Sequence, residues 1–294
     1  MISVTEALAL VDQHTFPFPV ENQKLELTLG STLGKDVHAP ISLPTFRQSS
    51  MDGYAFIQDG QTELTLIGES KAGDHQNFKI QKGEAVRIFT GALVPDQADT
   101  IVMQEHVEQT ENGIKILKMP PVNSNVREIG EQIQAGDLAL KAGTRINVPI
   151  IGFLGGFGLG TVPIIRKPSV SILVTGNEIQ SGKAELDSGK IFESNSLMIK
   201  LALNSMGIQV NEVLTAPDNQ ESTVEAIKAG LASDVLIISG GISVGDYDFV
   251  QKALAQNEVE EIFYKVNQKP GKPFWFGKKE GKYVFALPGN PAST

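Results

Sequence analysis

The sequence predicts a multi-domain protein of α/β plus β-rich class: a C-terminal doubly wound α/β domain with a mostly parallel sheet, preceded by an N-terminal β-rich region. Three observations carry this. Apolar, β-branched runs at residues 169–174, 235–238 and 283–287 read as strands buried on both faces, and each opens into a polar, glycine-containing loop. Residues 196–206 and 222–231 between them show helical spacing. Residues 25–145 instead carry short alternating runs separated by Gly, Pro and Asn.

Taken in order, Ser3-Val4-Thr5-Glu6 is a capping box, with Ser3 as N-cap and Glu6 near N3, opening an amphipathic helix that ends near His14. Strands follow at residues 64–67, 85–89, 100–105 and 113–117, within a barrel or sandwich. Residues 147–165 hold no charge and approach membrane-spanning length, yet Pro149, Pro163 and five glycines divide them into a short helix at 149–157, a turn and a strand at 161–165. After Arg166-Lys167-Pro168 strands and helices alternate, so a boundary falls near residue 166. Residues 211–215 add a strand leading to Asp218, which reads as a site residue or as a helix N-cap.

The densest chemistry lies at residues 234–248, where a strand discharges into Ser239-Gly240-Gly241-Ile242-Ser243-Val244-Gly245-Asp246-Tyr247-Asp248. Gly240, Gly241 and Gly245 let backbone amides approach an anion, and Asp246 and Asp248 are hard oxygen donors suited to Mg²⁺. An ordinary strand-to-helix turn is the competing reading. Thr175-Gly176-Asn177-Glu178 and Pro288-Gly289-Asn290-Pro291-Ala292-Ser293 repeat the pattern. Loops after parallel strands gather on one sheet edge, so a composite site is expected there. Lys269-Pro270-Gly271-Lys272-Pro273 adds two cations on a stiffened backbone, able to grip an oxyanion or to form a solvated turn. In the β-rich half, Asp52-Gly53 reads equally as a tight turn and as part of a site.

With 294 residues and 41% hydrophobic composition, the chain can bury a sizeable core. A net charge of −9 without a long basic tract argues against a nucleic-acid partner, so an anionic ligand needs local lysines. The absence of cysteine excludes a thiolate metal site, and four scattered histidines, His75 and His106 among them, make no ligand pair. No basic region followed by an apolar core opens the sequence, so a cytoplasmic location with no membrane partner is expected.

The ordered segments Ser50-Met51-Asp52-Gly53-Tyr54-Ala55, Arg87-Ile88-Phe89-Thr90-Gly91-Ala92, Val102-Met103-Gln104-Glu105, Asn125-Val126-Arg127, residues 239–248, Lys269-Pro270-Gly271-Lys272-Pro273 and Leu287-Pro288-Gly289-Asn290-Pro291 resemble the molybdopterin molybdotransferases. These are the molybdate-insertion enzymes of molybdenum-cofactor biosynthesis, related to the gephyrin C-terminal domain, and the resemblance covers essentially the whole chain. It implies an N-terminal linker with an inserted β-rich domain at about residues 44–140 within 1–165, and a molybdopterin-binding domain at 166–294. It implies adenylylated molybdopterin and molybdate as substrates, Mo-molybdopterin and AMP as products, and Mg²⁺ assistance. The pterin's dithiolene sulfurs would supply the soft ligands that this chain lacks. It further implies a homodimer with an active site shared across subunits, and the molybdopterin adenylyltransferase as a partner.

By motif position, Glu178, Asp246 and Asp248 would hold the metal against the pyrophosphate linkage. Thr175, Gly176, Ser239, Gly240, Gly241, Ser243, Gly245, Pro288, Gly289 and Asn290 would bind the pterin nucleotide, while Lys269, Lys272 and Ser293 would receive molybdate. Asp218 would join the catalytic set, and Asp52 and Thr90 would reach the cleft across the dimer. Two positions depart from the family pattern: Gln132 and Asn177 stand where acids are common. The chain also ends at Thr294, directly after the last motif, so a C-terminal truncation lacking the family's last β domain is expected. A molybdopterin-binding scaffold without catalysis and a related adenylyltransferase are the alternative functions; the β-rich half speaks against the second.

Overall fold

The structure, a computed structural model, describes residues 1–74, 78–180, 182, 185–242 and 249–294. They form two compact units, one comprising Met1–Gln23, Thr28–Gly34 and Pro163–Thr294, the other Lys24–Leu27 and Lys35–Val162.

Helix α1 (Val4–His14) opens with the expected capping box: the Ser3 hydroxyl accepts from the Glu6 N–H, and Glu6 reaches back to the Ser3 N–H at 2.7 Å. In the β-rich unit, β1 (Gly53–Phe56), β2 (Glu63–Ser70), β3 (Glu84–Ile88), β4 (Thr100–Met103), β5 (Val107–Thr110) and β6 (Gly113–Ile116) make one sheet in the order β4-β1-β3-β2-β6-β5. By its strand pairing this is one open sheet among the described residues, not the expected barrel or sandwich, and both of its faces are covered. Ala55, Val86, Ile88 and Ile101 bury on one side, while Tyr54, Phe56, Ala85 and Val102 bury on the other. Helix α2 (Val148–Gly156) is capped by Asn147, whose Oδ1 accepts from Ile150 at 3.0 Å, and β7 (Thr161–Ile165) follows. No helix among the described residues is long and apolar enough to cross a membrane.

In the α/β unit the order is β8 (Val170–Thr175), α3 (Asn195–Ser205), β9 (Val210–Ala216), α4 (Gln220–Gly230), β10 (Val235–Ser239), α5 (Phe249–Gln256), β11 (Glu260–Tyr264), β12 (Trp275–Lys279) and β13 (Lys282–Leu287). The sheet runs β9-β8-β10-β13-β12-β11, with β9, β8, β10 and β13 parallel and β12 alone reversed, antiparallel to both β13 and β11. Every residue of β8 is buried, which explains its unbroken apolar reading. Leu173, Leu236 and Ile238 pack with Ile227 of α4 and Val250 and Leu254 of α5. Ile172 and Val174 face the other way, toward Ile199 of α3. Each such side chain contributes about 1.5–3 kcal/mol on burial. The chain leaves β8 toward β9 on one side and then crosses to β10 on the other. The carboxyl ends of β8 and β10 therefore flank the switch in strand order, where such sheets bind ligands.

Candidate functional site at the carboxyl edge of the parallel sheet

At the tip of β8, Thr175 is 3% exposed and its hydroxyl finds no hydrogen-bond partner among the described residues. The carboxylate of Glu178 folds over Gly176, within 2.9 Å of where a Cβ on that glycine would sit. Asn177 binds the β9 tip reciprocally: its N–H donates to Asp218 Oδ2 and its Oδ1 accepts from the Asp218 N–H, both at 3.1 Å. Asp218 is therefore not the N-cap of α4. Asn219 takes that place, accepting from Ser222 at 2.9 Å, which corrects the capping alternative. Asn177 fulfils a structural task here, since its amide oxygen satisfies a backbone donor. A cleft of about 270 Å³ opens between these tips, lined by Gly176, Asn177, Ile179, Thr215 and Pro217.

The tip of β10 continues the cradle. Gly240 (φ +100°) and Gly241 (φ +66°) adopt conformations that side chains disfavour, and a Cβ on Gly240 would come within 2.5 Å of the Thr175 carbonyl oxygen. The Gly240 N–H donates to the Leu287 carbonyl at 3.1 Å, tying β10 to the tip of β13. Gly289 lies against Gly240, so that a Cβ there would be 3.4 Å from the Gly240 Cα. Asn290 closes the last loop, its Oδ1 accepting from Ala292 at 3.0 Å, while the Pro288 carbonyl accepts from the Thr294 hydroxyl at 2.6 Å. The Lys269–Lys272 turn meets this loop: a Cβ on Gly271 would stand 2.9 Å from the Ser293 carbonyl oxygen. Lys269 and Lys272 are exposed and pair with no acid among the described residues.

Thr175, Gly176, Glu178, Asp218, Ser239, Gly240, Gly241, Lys269, Lys272, Pro288, Gly289, Asn290 and Ser293 thus share one edge. Ser243, Gly245, Asp246 and Asp248 lie outside the described residues, as does His75. Among the described residues no group of three His, Asp or Glu side chains is arranged to hold a metal ion. Larger cavities of about 400 Å³ near His14 and Lys278, and about 640 Å³ near Thr65 and Asn112, contain none of these residues, so volume alone does not locate the chemistry.

Sequence reasoning passed over one member of this edge. Asn195 is 5% exposed; its Nδ2 donates to Ser239 Oγ at 2.7 Å and to the Gly289 carbonyl at 2.9 Å. Placed just before a predicted helix, it resembles any capping asparagine, and that reading conceals it.

In the other unit, Asp52 and Thr90 meet: the Thr90 N–H and hydroxyl both donate to Asp52 Oδ1, at 2.8 and 2.9 Å. These two bonds, the backbone one first, hold the Asp52 carboxyl below its ordinary pKa. Gly53 belongs to β1 and makes no tight turn. Glycine is required because a Cβ would collide with the Val102 carbonyl of β4. Gln132 is exposed, and its backbone N–H donates to Leu43.

The MoeA N-terminal region (domain I and II) matches residues 2–158, and a probable molybdopterin binding domain matches 171–294. A molybdopterin molybdenumtransferase of Haemophilus influenzae is 36% identical over 300 residues, covering 100% of this chain and 74% of the relative. One of Staphylococcus epidermidis is 36% identical over 301 residues, covering 99% of this chain and 72% of the relative. A crystal structure of a molybdopterin biosynthesis MoeA protein from Pyrococcus horikoshii superposes with a TM-score of 0.83 at 31% identity, over 100% of this chain and 76% of the other.

Proposed function

This chain belongs to the MoeA family of molybdopterin molybdenumtransferases, and from that premise we propose that it inserts molybdate into adenylylated molybdopterin with release of AMP. The observation that carries this reading is the meeting of a glycine cradle, holding a buried hydroxyl, with a turn of two lysines at the sheet edge that bears the switch in strand order, the hydroxyl unpartnered and the lysines unpaired among the described residues. Gly240 and Gly241 leave room for phosphate oxygens beside the Thr175 hydroxyl. Lys269 and Lys272 attract molybdate and lower the cost of bringing two anions together. Ser239, Pro288, Gly289, Asn290 and Ser293 line the same edge and orient the pterin nucleotide.

Glu178 and, by their place in the sequence, Asp246 and Asp248 would offer carboxylate oxygens of the kind a hard divalent cation such as Mg²⁺ takes. Such an ion would screen the anionic linkage. Asp52 and Thr90 would complete the cleft from a second copy of the chain, making the working unit a homodimer. A soluble cytoplasmic protein supplied with substrate by the molybdopterin adenylyltransferase fits this scheme. Residues 2–158 match a region belonging to the molybdate-inserting family, which favours insertion over adenylyl transfer.

The test is AMP release from adenylylated molybdopterin, followed with and without added molybdate. Molybdate-dependent release is expected. Tight pterin binding with no release would contradict catalysis and leave the scaffold reading.

A further inference from the structure

We propose that Asn195 is a specificity-determining residue of this site, accepting a hydrogen bond from an N–H or O–H of the organic part of the substrate. The inference rests on the functional reading above. Asn195 opens α3, yet its side chain does not cap that helix. Glu193 does so, its Oε1 accepting from the Ser196 N–H at 2.8 Å. The Asn195 side chain turns instead to the sheet edge, between the tips of β10 and β13. The Gly289 carbonyl can only accept, so the atom facing it at 2.9 Å is Nδ2, and the orientation of the amide follows. Both Nδ2 hydrogens are then used, on Gly289 and on Ser239.

The other half of the amide is left over. Oδ1 is buried and has no hydrogen-bond partner among the described residues, a condition rare for a buried polar atom. It shares this condition with the Thr175 hydroxyl, which sits against Gly240 and Gly241 on the adjoining strand tip. The two atoms differ in chemistry. A hydroxyl can donate to a phosphate oxygen, whereas an amide oxygen can only accept. Molybdate, fully deprotonated at neutral pH, offers it nothing. A pterin ring offers N–H groups, and a nucleoside offers amino and hydroxyl groups. A site built to receive a donor rejects a ligand that lacks it, because the buried acceptor is then left unsatisfied. Asn195 therefore discriminates organic substrate from free molybdate.

Equilibrium binding of three probes to the wild-type chain and to Asn195→Ala tests this: molybdopterin, AMP and molybdate. The substitution should weaken either molybdopterin or AMP about 10- to 100-fold and leave molybdate within about twofold; the probe that weakens identifies the donor. An equal loss for all three would reduce Asn195 to a staple between Ser239 and Gly289, and no loss for any would remove it from the site. Either result overturns the inference. Should Asn195→Ala fail to fold, Asn195→Leu preserves the volume and removes the acceptor. It should weaken the same organic probe and leave molybdate unchanged, and an equal loss of both would contradict the proposal. Failure of the wild-type chain to bind any probe would count against the functional reading itself, which separates the two outcomes.

Discussion

The two ends of strands β8 and β10 are built on opposite principles. At their amino ends, Asp234 is saturated: Arg166 donates to it bidentately at 2.8 and 2.9 Å, and Ser169 adds its N–H at 2.7 Å and its hydroxyl at 2.6 Å. Asp234 returns a bond from its own N–H to Ser169 Oγ at 2.9 Å, and the guanidinium also stacks on Phe18, 5.1 Å from the ring centre. At their carboxyl ends glycines replace side chains and, among the described residues, two buried polar atoms lack partners and two lysines stand free of acids. Polar groups that stabilise a fold are satisfied within it. Those that await a ligand are not.

The contrast can be broken from either end. The largest effect is expected at the open end: Lys269→Ala or Lys272→Ala should lower molybdate-dependent AMP release by about 10²- to 10³-fold, as for loss of a preorganised charge at a reacting anion. The unfolding midpoint in denaturant should barely move. Gly240→Ala comes next, because it forces a side chain into φ +100° against the Thr175 carbonyl. A loss of about 2–4 kcal/mol in chemical denaturation is expected, with activity falling in the protein that remains folded.

The saturated end should respond in the opposite way. Asp234→Asn should cost about 1–2 kcal/mol of stability, a figure reduced because the pair is partly solvated, while AMP release per folded molecule stays unchanged. The effect has a pH signature. Hydrogen bonding to Arg166, then to Ser169, holds the Asp234 carboxyl well below its ordinary value of 3.8. In acid the unfolded chain takes up this proton before the folded one does. The stability gap between wild type and variant should thus be complete above about pH 4 and narrow as the pH falls further. The smallest effect is expected in the β-rich unit. Thr90→Val removes the hydroxyl donor to Asp52 but keeps the backbone one, so carboxyl-carbon NMR should show the Asp52 pKa rising only part of the way to its ordinary value.

Much of this contrast was legible in the sequence where the signal is local. Uninterrupted apolar runs placed β8, β10 and β13 to within a residue or two at each end, because a strand buried on both faces has no polar position to confuse the pattern. The loops that follow them were legible as glycine turns, and the Lys269–Lys272 segment as a pair of exposed cations, because glycine and lysine keep their chemistry in any fold. What was not legible depends on partners distant in the chain. Asp218 and Asn219 are both good caps, and only the reach of Asn177 across to Asp218 decides between them. Gly53 resembled a turn residue because nothing nearby reveals the carbonyl of Val102 pressing on it. Asn195 needed Ser239 and Gly289, 44 and 94 residues away, to declare its role. A period-2 pattern likewise cannot tell one sheet covered on both faces from two sheets stacked together.

The central claim is that ligand binding is confined to the carboxyl edge of the parallel sheet. Amide hydrogen exchange with and without AMP and molybdate tests it most directly, since added protection reports where the bound ligand closes local opening. Protection should rise at residues 175–178, 239–241 and 288–293 and remain unchanged at 166–170 and 233–235. Protection appearing at the Arg166–Asp234 end, with the glycine loops unaltered, would contradict the account.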